Sequence, residues 1–83
     1  MKISILIPTK NRLPILRETL HNIYYVNKLP KEDFEVIVSN DGDDDLSLLY
    51  NEFPFDNLKI VKNTHKAGLS GNRNNAIEFS QYE

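Results

Sequence analysis

The segment at residues 34–45 constrains the fold of this chain most strongly. It begins with Phe-Glu-Val-Ile-Val, in which four of five residues are apolar, and continues as Ser-Asn-Asp-Gly followed by three more aspartates. Strands buried on both faces of a parallel sheet consist of such apolar runs, and open α/β sheets bind ligands beyond the carboxyl ends of their strands. The pattern therefore predicts a buried strand that ends in a polar turn, with Asp41 at its tip.

Two interpretations of this turn remain open from the residues alone. In the first, Asp41 faces a ligand crevice, and Gly42 either takes a positive φ or lets a ligand approach the backbone closely. In the second, the acids only solvate a loop, with Asp44 and Asp45 capping the helix that follows. The run of aspartates 43–45 lacks the alternating ligand spacing of a calcium loop, so we predict no metal site there.

The rest of the chain alternates between strand and helix patterns. Residues 3–7 form a second β-branched run, closed by Pro8, and residues 58–62 form a third and shorter one. Between them, apolar residues recur at helical spacing from Leu13 to about Val26. That stripe consists of Leu13, Leu16, Leu20, Ile23 and Tyr24.

Two further helices are predicted in the second half of the chain. Residues 46–53 form a short one that Pro54 ends, and a third runs from Ser70, as its N-cap, to about Phe79. The third helix contains several asparagines in its first turns, although asparagine is a weak helix former. We therefore expect some of these amides to face polar groups.

The order β-α-β-α-β-α predicts an α/β fold with a short parallel sheet of three strands and flanking helices, the three-layer half of a Rossmann-like domain. In such a sheet the carboxyl ends of the strands meet at one edge. Pro8 and Thr9, Asn40 to Gly42, and Asn63 would then converge on one polar crevice.

Composition limits the possible partners. The 83 residues suffice for one small domain, here predicted as a single partial domain over residues 1–83, and the formal net charge of −2 gives no reason to expect nucleic acid. The chain has no cysteine, which excludes disulfides and thiolate metal sites and fits a cytoplasmic location. Its apolar runs are too short for a signal peptide or membrane span, so no direct membrane segment is expected.

Three motifs in order resemble the nucleotide-binding half of inverting family-2 glycosyltransferases with the GT-A fold. Residues 4–12 read Ser-Ile-Leu-Ile-Pro-Thr-Lys-Asn-Arg, similar to the family's opening strand and its Pro-Thr-x-Asn-Arg ending. Residues 35–42 resemble the strand that ends in Asp-Asp-Gly-Ser, with Asn40 in place of the first aspartate. Residues 63–77 resemble the Asn-x-Gly and Ala-Arg-Asn segment, and together the motifs cover nearly the whole chain.

The resemblance implies a nucleoside-diphosphate-sugar donor, most simply a UDP-sugar. It implies that Asp41 accepts hydrogen bonds from the base, that Thr9 and the backbone around Pro8 line the base and ribose pocket, and that Arg73 lies near the diphosphate. The positions expected to bind the donor are Pro8, Thr9, Asn11, Arg12, Asn40, Asp41, Gly42 and Arg73. Lys10 occupies a place where the family often has an aromatic residue, and a lysine there could reach a phosphate.

The resemblance also implies components beyond these residues. The family's metal-binding Asp-x-Asp on a fourth strand and its general base are expected after residue 83, so Mg²⁺ or Mn²⁺ is expected for a full-length enzyme and none for this segment. We therefore expect donor binding without catalysis and predict no catalytic or metal-ligating residue here. Without a fourth strand, residues 3–7 would form an exposed edge that could pair with another chain.

Two alternatives to a glycosyltransferase donor-binding subdomain remain at this stage. One is a non-catalytic nucleotide-binding or regulatory α/β module, which would use the same crevice. The other is a small phosphoacceptor signalling domain with Asp41 in an acidic pocket. Such a domain needs acids at the end of the first strand, where this chain has Pro8 and Thr9.

Overall fold

The computed structural model describes residues 2–27, 30–43 and 45–82 and shows strands and helices in strict alternation. The strands are β1 (Ile3–Thr9), β2 (Phe34–Asn40) and β3 (Leu58–Lys62), and the α-helices are α1 (Leu13–His21), α2 (Leu49–Glu52) and α3 (Leu69–Phe79). A π-helical turn at Asn22–Val26 extends α1, and a 3₁₀ turn at Lys31–Asp33 precedes β2. The predicted order of elements is confirmed.

The sheet is parallel, with β2 in the centre and β1 and β3 on either side. Ile3 pairs with Phe34 and Val36 with Leu58, so the strands run in register to their carboxyl ends. Every residue of β2 is buried because helices cover both of its faces. The predicted α/β fold with three parallel strands is therefore confirmed.

Alternating side chains of β2 divide the molecule into three layers. Phe34, Val36 and Val38 point into the main core with residues of α1, α2 and their flanking segments. The other buried members of that core are Leu16, Leu20, Tyr24, Leu46, Leu49, Phe53 and Leu58. On the opposite face, Ser39 meets α3 through a hydrogen bond from the Asn75 amide at 2.8 Å.

The predicted starts of α2 and α3 differ from the observed ones. Ser70, the predicted N-cap, lies inside α3, because the helix begins at Leu69 with Gly68 as its N-cap, two residues earlier than predicted, and has no side-chain cap. Residues 46–48 form a turn ahead of α2, in which the Asp45 carboxylate accepts a hydrogen bond from the Ser47 N–H at 3.0 Å. Asp45 thus caps this turn through a bond to the residue two positions on. Asp44, the other predicted cap, lies outside the described residues.

β1 is an edge strand in the described part of the chain, as the sequence predicts. Its residues from Ile3 to Pro8 are exposed or half-buried, and only Thr9 at its carboxyl end is buried. Within the described residues, no helix combines the length and apolar character needed to cross a membrane.

Candidate functional site

The three strand ends meet at one edge of the sheet. The Asp41 N–H donates to the Thr9 carbonyl at 2.9 Å, and the Asn63 N–H donates to the Asn40 carbonyl at 2.8 Å. These bonds continue the parallel ladder past the last residue of each strand. The predicted convergence of the strand ends is therefore confirmed.

The Asp41 carboxylate is the centre of this edge. Its Oδ1 accepts from the Asn63 amide and its Oδ2 from the Gly68 N–H, each at 2.9 Å. The Asn63 side chain, then the Gly68 amide, and more weakly Lys10 and Lys62, hold the pKa of Asp41 below its usual range. At neutral pH the site therefore contains a carboxylate anion.

The loop that meets Asp41 is organised by the Asn63 side chain. The Asn63 Nδ2 also lies 3.3 Å from the Lys66 carbonyl, and its Oδ1 accepts from the His65 N–H at 3.0 Å. Gly68 closes the loop with φ +110°, a conformation that other residues rarely adopt. His65 also pairs through its ring with Glu78 on α3. The loop thus presents one backbone N–H directly to Asp41.

A pocket of about 390 Å³ opens beside this carboxylate. It is lined by Pro8, Thr9, Lys10, Arg12, Asp41, Gly68, Leu69 and Asn72. The wall combines a carboxylate, a buried amide and backbone at the strand end with two cationic side chains. Such a set can accept hydrogen bonds from a polar ring or hydroxyl and attract an anionic group at the same time.

Four of the predicted site residues line this pocket: Pro8, Thr9, Arg12 and Asp41. Arg73 lies in a neighbouring hollow of about 470 Å³, against the exposed side of β1 with Ser4 and Leu6. That hollow shares Pro8 and Leu69 with the first pocket, so the two are adjacent. The predicted contact of Arg73 with a diphosphate stays a prediction.

The other three predicted residues do not line the pocket. Asn40 is buried and its Oδ1 accepts from the Gly42 N–H at 2.9 Å. A Cβ on Gly42 would lie 2.4 Å from the Asn11 Oδ1, so the small residue is needed for packing against Asn11. Gly42 does not take the positive φ considered above; Asn11 itself has φ 52°. The positive φ considered for Gly42 is therefore wrong, while the close approach of a ligand to its backbone stays a prediction.

The sequence interpretation missed Gly68 and Asn72 as parts of the site. Gly68 could have been found from the sequence, because a glycine before a predicted helix has no side chain to cap it. Such a helix start leaves backbone N–H groups free to bond other acceptors. The unusual asparagines of α3 were the signal for Asn72. Asn72 and Asn75 are both buried, and their amides donate to the Thr9 carbonyl and the Ser39 hydroxyl, which confirms that these amides face polar groups.

No group of three or more histidine or acidic side chains that could hold a metal ion forms among the described residues. The side chains present therefore do not fit a complete set of ligands for Mg²⁺ or Mn²⁺. The carboxylate of Asp41 instead bonds to neutral donors of its own chain.

The profile of "Glycosyl transferase family 2" matches residues 4–83. The chain belongs to glycosyltransferase family 2. The chain is 36% identical, over an alignment of 88 residues, to a curated relative, the poly(ribitol-phosphate) beta-glucosyltransferase of Bacillus spizizenii. The alignment covers 100% of this chain and 14% of that protein.

Two solved structures have the same architecture as this family-2 chain. The S. aureus TarS 1–349 crystal structure superposes with a TM-score of 0.78 at 30% identity, covering 100% of the chain and 25% of TarS. The second is the mannosyltransferase PcManGT from Pyrobaculum calidifontis, solved in complex with GDP-Man and Mn²⁺. It superposes with a TM-score of 0.79 at 25% identity, over 96% of this chain and 24% of PcManGT. The chain thus spans about a quarter or less of the length of these relatives.

Proposed function

We propose that this chain is the donor-binding portion of a glycosyltransferase and holds the nucleoside diphosphate of an activated sugar in the pocket beside Asp41. The observation that carries the proposal is the ionised Asp41 carboxylate at the meeting point of the strand ends. The family membership supports the substrate class, and the relative PcManGT was solved with GDP-Man. We propose a UDP-sugar as the donor of this chain.

The proposed pose follows from the charges of the pocket. The Asp41 carboxylate accepts a hydrogen bond from the ring N–H of the base, which lies against Pro8 and Thr9. Lys10 and Arg12 face the diphosphate, where cationic donors form charge-assisted bonds with phosphate oxygens. Arg73, in the adjacent hollow, reaches the far end of the diphosphate or the sugar.

Sugar transfer itself is proposed to need residues outside this chain. The relatives are several times longer, and the side chains described here do not form a full metal site. Mg²⁺ or Mn²⁺ bound elsewhere in a longer protein would neutralise the leaving diphosphate. The residues of this chain bind and orient the nucleotide. The proposal includes a cytoplasmic location, where nucleotide sugars would be present.

The experiment is a comparison of base preference, measured by titrating UDP, GDP, CDP and ADP into the chain. Uracil and guanine present a ring N–H to an acceptor, whereas cytosine and adenine present a bare nitrogen at the equivalent position. We expect the wild type to bind UDP about 10-fold more tightly than CDP, since one charge-assisted hydrogen bond distinguishes them. Equal affinity for UDP and CDP would contradict the proposed role of Asp41.

The matched variants are Asp41→Asn and Asp43→Asn. An amide at position 41 can donate to cytosine, so the preference for UDP over CDP should shrink or reverse. Asp43 lies exposed in the same turn, and its variant should keep the wild-type preference. A loss of affinity in Asp41→Asn that is equal for all four nucleotides would mean that Asp41 only holds the loop at residues 63–68.

We also propose that the exposed β1 edge pairs with a second copy of the chain. The half-buried apolar residues of β1 and its position at the edge of the sheet in the described part of the chain support this pairing. Sedimentation velocity across a concentration series should show reversible self-association. A single monomeric species at all concentrations would contradict it.

A further inference from the structure

The connection between β1 and α1 contributes two cationic residues to the wall of the pocket. It consists of residues 10–12 only, since β1 ends just before it and α1 begins just after it. Lys10 and Arg12 both line the pocket, whereas Asn11 between them does not. The way in which Asn11 is held therefore determines where the two neighbouring cations stand.

The backbone of Asn11 is left-handed, with φ 52°, and no other described residue except glycine has a positive φ. Asparagine tolerates this conformation better than most residues with a Cβ. On the far side of the connection, the Arg12 carbonyl accepts from the Leu16 N–H at 2.9 Å and so starts the hydrogen bonding of α1. The change of direction between strand and helix thus depends on Asn11.

The side chain of Asn11 fastens this connection to the turn that follows β2. Its Oδ1 accepts a hydrogen bond from the Asp43 N–H at 3.3 Å. Gly42 packs against the same residue, since a Cβ on Gly42 would lie 2.4 Å from the Asn11 Oδ1 and 2.9 Å from the Asn11 nitrogen. A hydrogen bond and a close contact therefore fix the connection relative to the turn.

We propose that Asn11 is a positioning residue, which holds Lys10 and Arg12 in place for the diphosphate of the bound nucleotide. The inference rests on the proposed nucleotide-binding function. Long cationic side chains lose rotamer freedom when they bind a ligand, and a fixed backbone leaves less freedom to be lost. The charge-assisted bonds of the two cations to phosphate oxygens are strengthened in this way.

The test separates the contribution of the diphosphate from that of the nucleoside. UDP and uridine are titrated into the wild type, Asn11→Gly and Asn51→Ala. Glycine adopts the left-handed conformation freely, so Asn11→Gly keeps the turn and removes only the side chain that anchors it. Asn51 is exposed on α2, and its variant is the matched control.

We expect the wild type to bind UDP at least about 10-fold more tightly than uridine, because only UDP has phosphate oxygens for the cations. Asn11→Gly should lower this ratio by about 3- to 5-fold through a weaker affinity for UDP, with the affinity for uridine unchanged. Asn51→Ala should keep the wild-type ratio. Equal losses for UDP and uridine in Asn11→Gly would overturn the inference, because a purely structural role weakens both ligands alike.

A second series shows whether Asn11 acts through the two cations. Lys10→Gln together with Arg12→Gln removes both charges, so the ratio of UDP to uridine affinity should fall. Adding Asn11→Gly to this double variant should change the ratio no further, since residues that act as a unit are not additive. A further loss of UDP affinity on that background would overturn the positioning role.

The Asp43 amide of the wild type provides a check that does not depend on a folded variant. In backbone amide NMR, UDP should shift the Asp43 N–H signal saturably and uridine should not, because only the diphosphate engages the cations that Asn11 holds. A signal that UDP leaves unmoved would overturn the role of Asn11. The proposed function stands in that case if UDP still binds, whereas a wild type that binds no nucleotide overturns both.

Discussion

A carboxylate lies at each end of β2, and the two have different surroundings. Glu35, near the amino end, is buried and accepts from the Ser4 hydroxyl at 2.6 Å and from the backbone N–H groups of Gln81 and Tyr82. Lys59 completes the cluster with an ion pair at 3.3 Å. Burial alone would raise the pKa of Glu35, but the bonds from Ser4, Gln81, Lys59 and Tyr82 outweigh it and lower the pKa overall.

Asp41, just past the carboxyl end of β2, is bonded by the loop between β3 and α3. Among the described residues, Asn63 and Gly68 of this loop donate to its carboxylate, and Asp41 also lines the pocket. Each carboxylate oxygen can accept more than one hydrogen bond. The comparison teaches that Glu35 is closed by its own chain and ties the segment after α3 to the sheet, whereas Asp41 keeps acceptor capacity for a ligand.

The largest effect on stability should come from Glu35→Ala. The change removes three hydrogen bonds and an ion pair at a buried position, so we expect the free energy of unfolding to fall by about 2–3 kcal/mol. Urea unfolding followed by circular dichroism measures it. Glu32→Ala, an exposed acid just before β2, should change stability by no more than about 0.5 kcal/mol. Similar small losses in both variants would show that the Glu35 cluster contributes little.

Much of the fold follows from local patterns in the sequence. The apolar runs at residues 3–7 and 34–38 and the stripe from Leu13 to Tyr24 are each visible within a few residues, and all three form the predicted kind of element. The predicted stop of β1 at Pro8 is wrong, because the strand continues to Thr9 and an edge strand tolerates a residue without an N–H. The π-helical turn at Asn22–Val26 was not predicted, because its hydrogen bonds leave the apolar spacing almost unchanged. The start of α3 was missed by two residues, since Gly68 and Ser70 are both acceptable as helix N-caps.

The sequence predicted the position of a site residue only where that residue directly follows the end of a strand. Asp41 follows directly from the end of β2, but the Glu35 cluster joins residues 46 and 47 positions apart, and no local pattern shows such contacts. Gly42 illustrates the same limit, because its need to be small comes from Asn11, which only the fold brings next to it. Placing Arg73 in the adjacent hollow likewise required the orientation of α3 against β1.

A smaller effect is expected on the pH dependence of stability. Glu35 and Asp41 both have a folded-state pKa below the ordinary carboxylate pKa of about 4. Each therefore stabilises the fold above that ordinary pKa, and this stabilisation is lost as the pH falls through the lower pKa of the folded state. The free energy of unfolding should therefore decline with acidification below about pH 5. Urea titrations from pH 7 to pH 2.5 measure this decline.

Variants show how much of the loss of stability in acid comes from each end of β2. Glu35→Gln and Asp41→Asn should each give a shallower decline than the wild type, because each removes one group whose proton uptake favours unfolding. Asp43→Asn, whose side chain lies exposed in the same turn as Asp41, should leave the slope as it is. Identical slopes in all four proteins would contradict the stated causes of the two lowered pKa values.

The most direct test of the central claim is to map UDP on the isotope-labelled chain by backbone amide NMR. The claim is that the carboxyl end of the sheet binds the nucleotide and the amino end does not. We predict saturable shifts of the Thr9, Gly68 and Asn72 amides, with those of Glu35 and Gln81 unmoved. Shifts centred on Glu35 and Gln81, or none that saturate, would contradict the account.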